Sequence, residues 1–264
     1  MDNIVNKRIN KRNIERIKTW IAGLDEKIEG GIPKGSTVLI TGLPGVGKSI
    51  MLMHIIANNV IHNHLKSIYI SVEQPREDII NQAWQFNWDF EKMEADGYLS
   101  IIALNSPGLI ELEQERNIKR ILQTDHYNLA AIDSLTSYSQ MPVTSSHLIS
   151  TSGEGYHPAT WQELRRISAL LLMDTIKREG ITSFFTSHEG EEKPDVAKEN
   201  MCKYRADCLI AMESDMLGTN LNRTLQIKKL RQTKIDGLPY SFDFTTEGIT
   251  LKPSSELFVH ADER

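Results

Sequence analysis

The amino-acid sequence predicts an α/β domain with a central, mostly parallel sheet, helices on both faces and antiparallel strands at its C-terminal edge. Three observations lead there. First, the apolar run Val38-Leu39-Ile40 feeds a glycine-rich stretch, Thr41-Gly42-Leu43-Pro44-Gly45-Val46-Gly47-Lys48-Ser49, which matches Gly-x-x-x-x-Gly-Lys-Ser at every fixed position and opens a helical run from Ile50 to Ile61. Second, strand-like runs alternate with helical stretches as far as residue 186, as parallel strands require, because each return crosses over through a helix. Third, beyond residue 208 the strands follow one another with only turns between them, the pattern of an antiparallel extension.

Composition permits this fold and narrows the function classes. A chain of 264 residues, 40% hydrophobic and 25% charged, can build a full core and suits one large domain. No apolar run approaches the length of a membrane span. The N-terminus is polar and basic rather than charged and then apolar, so a cytoplasmic location is expected. Cys202 and Cys208 lack a second ligand pair and read as reduced thiols. A net charge of -5 provides no global attraction to nucleic acid.

Taken in order, residues 1–18 form a basic arm carrying Lys7, Arg8, Lys11, Arg12, Arg16 and Lys18, and residues 19–253 form the domain, with a tail at 254–264. Ile21 to Gly35 reads as a short helix stopped by glycines and a tight turn. In the glycine-rich stretch, backbone N–H groups and the helix dipole would face phosphate. Gly42, Pro44, Gly45, Val46, Gly47, Lys48, Ser49 and Ile50 form the expected nucleotide-binding set, with Lys48 reaching the β- and γ-phosphates and Ser49 a ligand to Mg²⁺.

The next strand, Ser67 to Val72, ends at Glu73. Ligands of open α/β sheets sit beyond the C-terminal strand ends, so Glu73 shares a rim with the phosphate loop and is the candidate general base that polarises an attacking water. Pro75 opens a helix striped by Ile79, Ile80, Ala83 and Phe86. Leu99 to Leu104 is a further strand, and a helix around Ile118 to Leu122 leads into Leu129-Ala130-Ala131-Ile132-Asp133. Asp133, ending a buried strand expected beside the phosphate-loop strand, is the second candidate for holding Mg²⁺.

Residues 137–159, rich in Ser, Thr, Gly and Pro, read as a long loop, after which Thr160 and Glu163 form a capping box for a helix from Trp161. The strand Ile181 to Thr186 ends at Ser187 and His188, possible sensors of the γ-phosphate. Residues 189–203 read as a second, charge-mixed loop, followed by strands at about 208–213, 223–231, 240–244 and 249–251.

The order of these motifs resembles that of single-domain members of the KaiC-like branch of the RecA/RadA ATPases. The resemblance covers Ile21 to Pro253 and rests on Gly23-Leu24-Asp25 with Gly30 to Ser36, the phosphate loop, Glu73, Asn87-Trp88-Asp89 with Gly97, Asp133-Ser134-Leu135-Thr136, and Lys229-Leu230-Arg231. It implies a RecA-like core binding and hydrolysing ATP with Mg²⁺, in homohexameric rings with ATP between subunits. It further implies that Lys229 and Arg231 reach the γ-phosphate bound by the neighbouring subunit. The first functional expectation is a regulatory ring whose nucleotide state is read by a protein partner.

Two departures bear on activity. Gln74 stands where KaiC domains typically carry a second Glu, which bears on turnover rate. Lys203-Tyr204 stands near the place of the Ser-Thr pair of the clock protein's autokinase domain, which disfavours autophosphorylation there. Alternatives are a RadA-paralogue DNA-repair ATPase and a nucleotide-binding scaffold without turnover. Against DNA, the loop 137–159 holds no Lys or Arg, and in 189–203 Lys193, Lys198 and Lys203 are outnumbered by Glu189, Glu191, Glu192, Asp195 and Glu199.

Overall fold

A sheet of nine strands runs through the computed structural model, which describes residues 14–104, 112–140, 161–188, 196–217 and 220–252. In chain order the elements are β1 (Arg16–Ile17), a single 3-10 turn (Asp25–Ile28), β2 (Ile32–Pro33), β3 (Thr37–Gly42), α1 (Lys48–Asn63), β4 (Ser67–Ser71), α2 (Arg76–Trp84), α3 (Phe90–Ala95), β5 (Leu99–Ala103) and α4 (Leu112–Thr124). There follow β6 (Leu129–Asp133), α5 (Leu135–Gln140), α6 (Trp161–Arg178), β7 (Thr182–His188), α7 (Val196–Arg205), β8 (Cys208–Leu217), β9 (Asn220–Leu230), β10 (Pro239–Thr245) and β11 (Gly248–Leu251).

The strand order is β11-β10-β9-β8-β3-β7-β6-β4-β5. Pairing is parallel from β8 through β5 and antiparallel from β8 outward to β11. Strict alternation along each inner strand sends neighbouring side chains to opposite faces. Val38, Ile40, Tyr69, Leu129, Ala131 and Phe184 join one apolar cluster with α1, α2 and α3, whereas Leu39, Ile68, Ile70, Ala130, Ile132 and Phe185 join the other with α4, α5 and α6. The result is a three-layer sandwich with the expected antiparallel edge.

The start of the domain is pinned by side chains. Asp25 accepts from the Thr19 N–H at 2.9 Å, the Thr19 hydroxyl at 2.8 Å and the Trp20 N–H at 3.1 Å. Arg16 donates to the Gly31 carbonyl at 2.9 Å and to Thr233 Oγ1 at 2.8 Å and pairs with Glu29 at 2.9 Å. The end of the basic segment is thus tied to the β1–β2 ribbon and to the turn after β9. Residues 1–13 and 253–264 lie outside the described residues.

Four sequence expectations need correction. The strand carrying Asp133 is not beside the phosphate-loop strand, because β7 lies between β3 and β6; hydrophobic runs identify buried strands without ordering them. The stretch read as loop from residue 137 begins as α5, whose Leu135 and Tyr138 are buried three residues apart among serines and threonines. The second loop's later part is α7, where Cys202 packs partly into the core and Arg205 pairs with Asp174 of α6. A short helix that no sequence expectation covered, α3, follows Asp89, whose carboxylate accepts from the Lys92 N–H at 2.8 Å. Residues 141–160 and 189–195, including the proposed cap at Thr160, lie outside the described residues. The β8–β9 ladder also runs further than expected, to Leu217 and Asn220, because backbone pairing carries polar residues such as Glu213, Ser214 and Asn222.

Candidate active site

The parallel register brings the phosphate loop, Glu73, Asp133 and His188 to one rim. Gly42 at the end of β3 pairs with His188 at the end of β7, Ile132 pairs with Phe185, and Ser71 pairs with Asp133. Val72 continues this register, its N–H donating to the Asp133 carbonyl at 2.6 Å. Four separate strand ends thus converge where an open α/β sheet places its ligand.

The loop's backbone is built for close approach. Gly47, the residue before α1, has φ of 112°, and a Cβ there would lie 2.4 Å from Cζ of Phe244 on β10. Only glycine fits that conformation and that contact. Lys48 is buried and folds back, its Nζ donating to the Gly42 carbonyl at 2.8 Å and the Leu43 carbonyl at 2.9 Å. Ser49 and Ile50 are half-buried in the first turn of α1, while Leu43, Pro44 and Gly45 are exposed and Val46 packs into the core.

Asp133 is 2% exposed and is held from behind. Its Oδ2 accepts from the Tyr69 hydroxyl at 3.0 Å and its Oδ1 from the Thr186 hydroxyl. Burial, then the charge of Asp133, push the Tyr69 phenol well above its usual pKa, so it remains a donor. A buried carboxylate oriented by two hydroxyls, on a rim shared with a P-loop serine, is a donor set of hard oxygens that suits Mg²⁺.

Glu73 lies in a polar cluster from three elements. Its Oε1 accepts from Ser134 Oγ, from Ser137 Oγ at 2.6 Å and from His188 Nε2 at 2.7 Å. Burial would raise its pKa, but the hydrogen bonds from Ser134, Ser137 and His188 outweigh that and leave the carboxyl below its usual value. The His188 N–H donates to Thr136 Oγ1 at 3.0 Å, and that oxygen lies 2.9 Å from Ser187 Oγ. Next along the chain, the Gln74 N–H donates to Ser71 Oγ at 2.9 Å, closing a tight turn after β4.

Lys229 and Arg231 are not brought to this rim. Lys229 pairs with Leu209, which pairs with Leu39, and the Arg231 N–H donates to the carbonyl of Asp207, whose own N–H donates to the Thr37 carbonyl. Arg231 is therefore level with the beginning of β3, five residues or roughly 17 Å from the phosphate-loop end at strand rise. Lys229 Nζ donates to the main-chain carbonyls of Lys203, Tyr204 and Ala206 at the end of α7. Arg231 pairs with Asp207 at 3.1 Å while its side chain stays 54% exposed. Asp207 also pairs with Lys177 at 2.6 Å and accepts from the Thr37 N–H at 3.0 Å.

Sequence reasoning missed the residues that brace the rim. Thr186 was legible as a hydroxyl in an apolar strand, and Tyr69 as the one aromatic phenol in β4, but their common partner Asp133 follows only from strand order. Phe244 and Arg223 carried no signal. Arg223 of β9 lies over the Phe244 ring at 4.8 Å, and Phe244 packs on Gly47, so the antiparallel edge forms one wall of the phosphate loop.

A family profile described as the KaiC ATPase matches residues 17–256. The chain belongs to the KaiC ATPase family. The circadian clock oscillator protein KaiC of Acaryochloris marina is 28% identical over 254 residues, which is 92% of this chain and 45% of that protein. Against such clock proteins the chain thus spans less than half the length. A UPF0273 protein of Methanocaldococcus jannaschii is 28% identical over 260 residues, covering 92% of this chain and 99% of that one. The crystal structure of a KaiC-like protein from the hyperthermophilic archaeon Pyrococcus horikoshii matches with a TM-score of 0.72 at 26% identity, over 91% of this chain and 100% of that chain. The KaiC-like, RecA-type core expected from the motifs is therefore the fold of this chain, and membership of an ATPase family supports ATP binding at its phosphate loop. Among the described residues no helix is long and apolar enough to cross a membrane.

Proposed function

We propose that this chain is a Mg²⁺-dependent ATPase that assembles into a homohexameric ring with ATP between subunits and serves as a regulatory protein. One observation carries the reading: the phosphate loop, Asp133 and Glu73 share one rim, while the Lys229 ammonium at Ala206 and Arg231 at Asp207 lie toward the opposite end of the strands. Within a single chain the second pair cannot serve the first group, so a site using both must draw on two subunits.

In this scheme Lys48 leaves the carbonyls of Gly42 and Leu43 for the β- and γ-phosphates, and the loop N–H groups cradle the rest. Ser49 and Asp133 would hold Mg²⁺, Asp133 through water, and the ion would neutralise charge on the phosphoryl oxygens. Glu73, ionised at neutral pH, polarises the water and accepts its proton as the γ-phosphoryl group passes from ADP to the water oxygen. Ser187, hydrogen-bonded to Thr136 on the same rim, suits a γ-phosphate-sensing role, in which His188 would take part through its bond to Glu73. Arg231 of a neighbouring subunit, half exposed, would add positive charge in trans. The likeness to clock oscillator proteins supports a regulatory output read by a protein partner.

Steady-state ATP hydrolysis by the wild type and Glu73→Gln tests the enzyme. A loss of about 10² to 10⁴-fold is expected for removal of a general base. Wild-type turnover no greater than that of the variant, with ATP still bound, would refute it. Sizing with and without ATP and Mg²⁺ tests the ring.

A further inference from the structure

Glu73 presents its two carboxylate oxygens unequally. Three donors converge on Oε1: Ser134 Oγ, Ser137 Oγ at 2.6 Å and His188 Nε2 at 2.7 Å. Among the described residues no side chain donates to Oε2. The donors come from the β6–α5 turn, from α5 and from the end of β7, and each is itself held. Ser137 N–H donates to Ser134 Oγ at 3.1 Å, α5 is anchored by buried Leu135 and Tyr138, and His188 N–H is bound to Thr136. His188 Nδ1 is buried and has no hydrogen-bond partner among the described residues, which leaves the ring proton on Nε2, facing Glu73.

We propose that Ser137 and His188 are positioning residues for Glu73, fixing Oε1 so that Oε2 is the oxygen that receives the proton of the attacking water. The inference rests on the reading of Glu73 as base. In the step concerned, the water oxygen bonds to the γ-phosphorus, the bond from that phosphorus to the β–γ bridging oxygen breaks, ADP leaves, and the water proton passes to Oε2. Both residues act through Glu73. A carboxylate free to rotate would have to find this orientation in each turnover, whereas three donors on rigid elements supply it in advance. The same donors weaken the carboxylate as a base. The arrangement therefore exchanges some basicity for orientation.

The test uses the purified full chain with saturating Mg-ATP. Ser137→Ala and His188→Ala should each lower kcat by about ten-fold, and together by up to about 10²-fold, with KM for ATP little changed. His188→Gln, whose amide nitrogen reaches about as far as Nε2, should recover most of the loss. A second readout needs no turnover. In ¹⁵N-histidine NMR of the nucleotide-free chain at alkaline pH, His188 should show the Nε2–H tautomer with its Nε2–H proton shifted downfield by the bond to the carboxylate, and Glu73→Ala should remove that shift. An unchanged or increased kcat in both alanine variants would overturn the proposal, as would a rise in KM alone or an Nε2–H signal indifferent to Glu73. If Glu73→Gln is inactive while the alanine variants are unaffected, the positioning role fails and the base survives. If Glu73→Gln is fully active, both fail.

Discussion

Replacing Gly47 by alanine probes how the antiparallel edge shapes the phosphate loop. Two costs are separable. Gly47 sits at φ of 112°, where an alanine is strained by about 1–3 kcal/mol. Its Cβ would also lie 2.4 Å from Cζ and 3.0 Å from Cε1 of Phe244, and overpacking of this kind costs about 1–3 kcal/mol. Phe244 cannot swing aside freely, since Arg223 lies over its ring and Phe242 meets it edge-on at 5.7 Å. The single variant should thus lose about 2–6 kcal/mol, a large part of a typical domain's stability. Urea unfolding of Gly47→Ala, Phe244→Ala and the double variant forms a cycle. Truncating the ring removes only the steric part, so a coupling of about 1–3 kcal/mol is expected. Additivity within about 0.5 kcal/mol would show that Phe244 does not constrain the loop and would refute the reasoning.

Two further predictions address the proposed ring and the core. Lys48→Ala and Arg231→Ala should each be inactive alone, yet subunits of the two mixed before assembly should regain turnover at interfaces that pair an intact phosphate loop with an intact Arg231. Mixed rings that stay inactive would place Arg231 in its local pairing with Asp207 only. His54 of α1 is buried, its Nδ1 accepts the Ile249 N–H at 3.2 Å, and burial lowers its pKa below 6.5. With the folded pKa depressed, its contribution is present above 6.5 and is lost as pH falls from there toward the folded value. Thermal melts should therefore show stability declining below about pH 6.5, with a smaller decline in His54→Gln. Equal declines would exclude His54 as the source.

The legible part of the site was the part written in contiguous residues. A phosphate loop depends on local backbone conformation, so its glycines, Lys48 and Ser49 are readable one after another. Glu73, Asp133 and His188 were readable because each ends an apolar run, and strand ends share a rim in any parallel sheet. Their partners were not. Tyr69 and Thr186 reach Asp133 across strand pairings that depend on sheet order, and the Ser137 hydroxyl reaches Glu73 because residues read as loop form a helix. The polar ends of β8 and β9 were missed because backbone hydrogen bonds, unlike hydrophobic burial, leave no period in the side chains.

By itself, then, the sequence determined the α/β class, the nucleotide loop and the carboxylates that face it, since these follow from local chain conformation and from alternation along strands. Only the tertiary structure decided that β7 separates the loop strand from Asp133, that Phe244 walls the loop, and that Lys229 and Arg231 stand at the far end from it. Those facts depend on which strands pair and in which register, and pairing is settled by the packing of the whole sheet between its two helical layers.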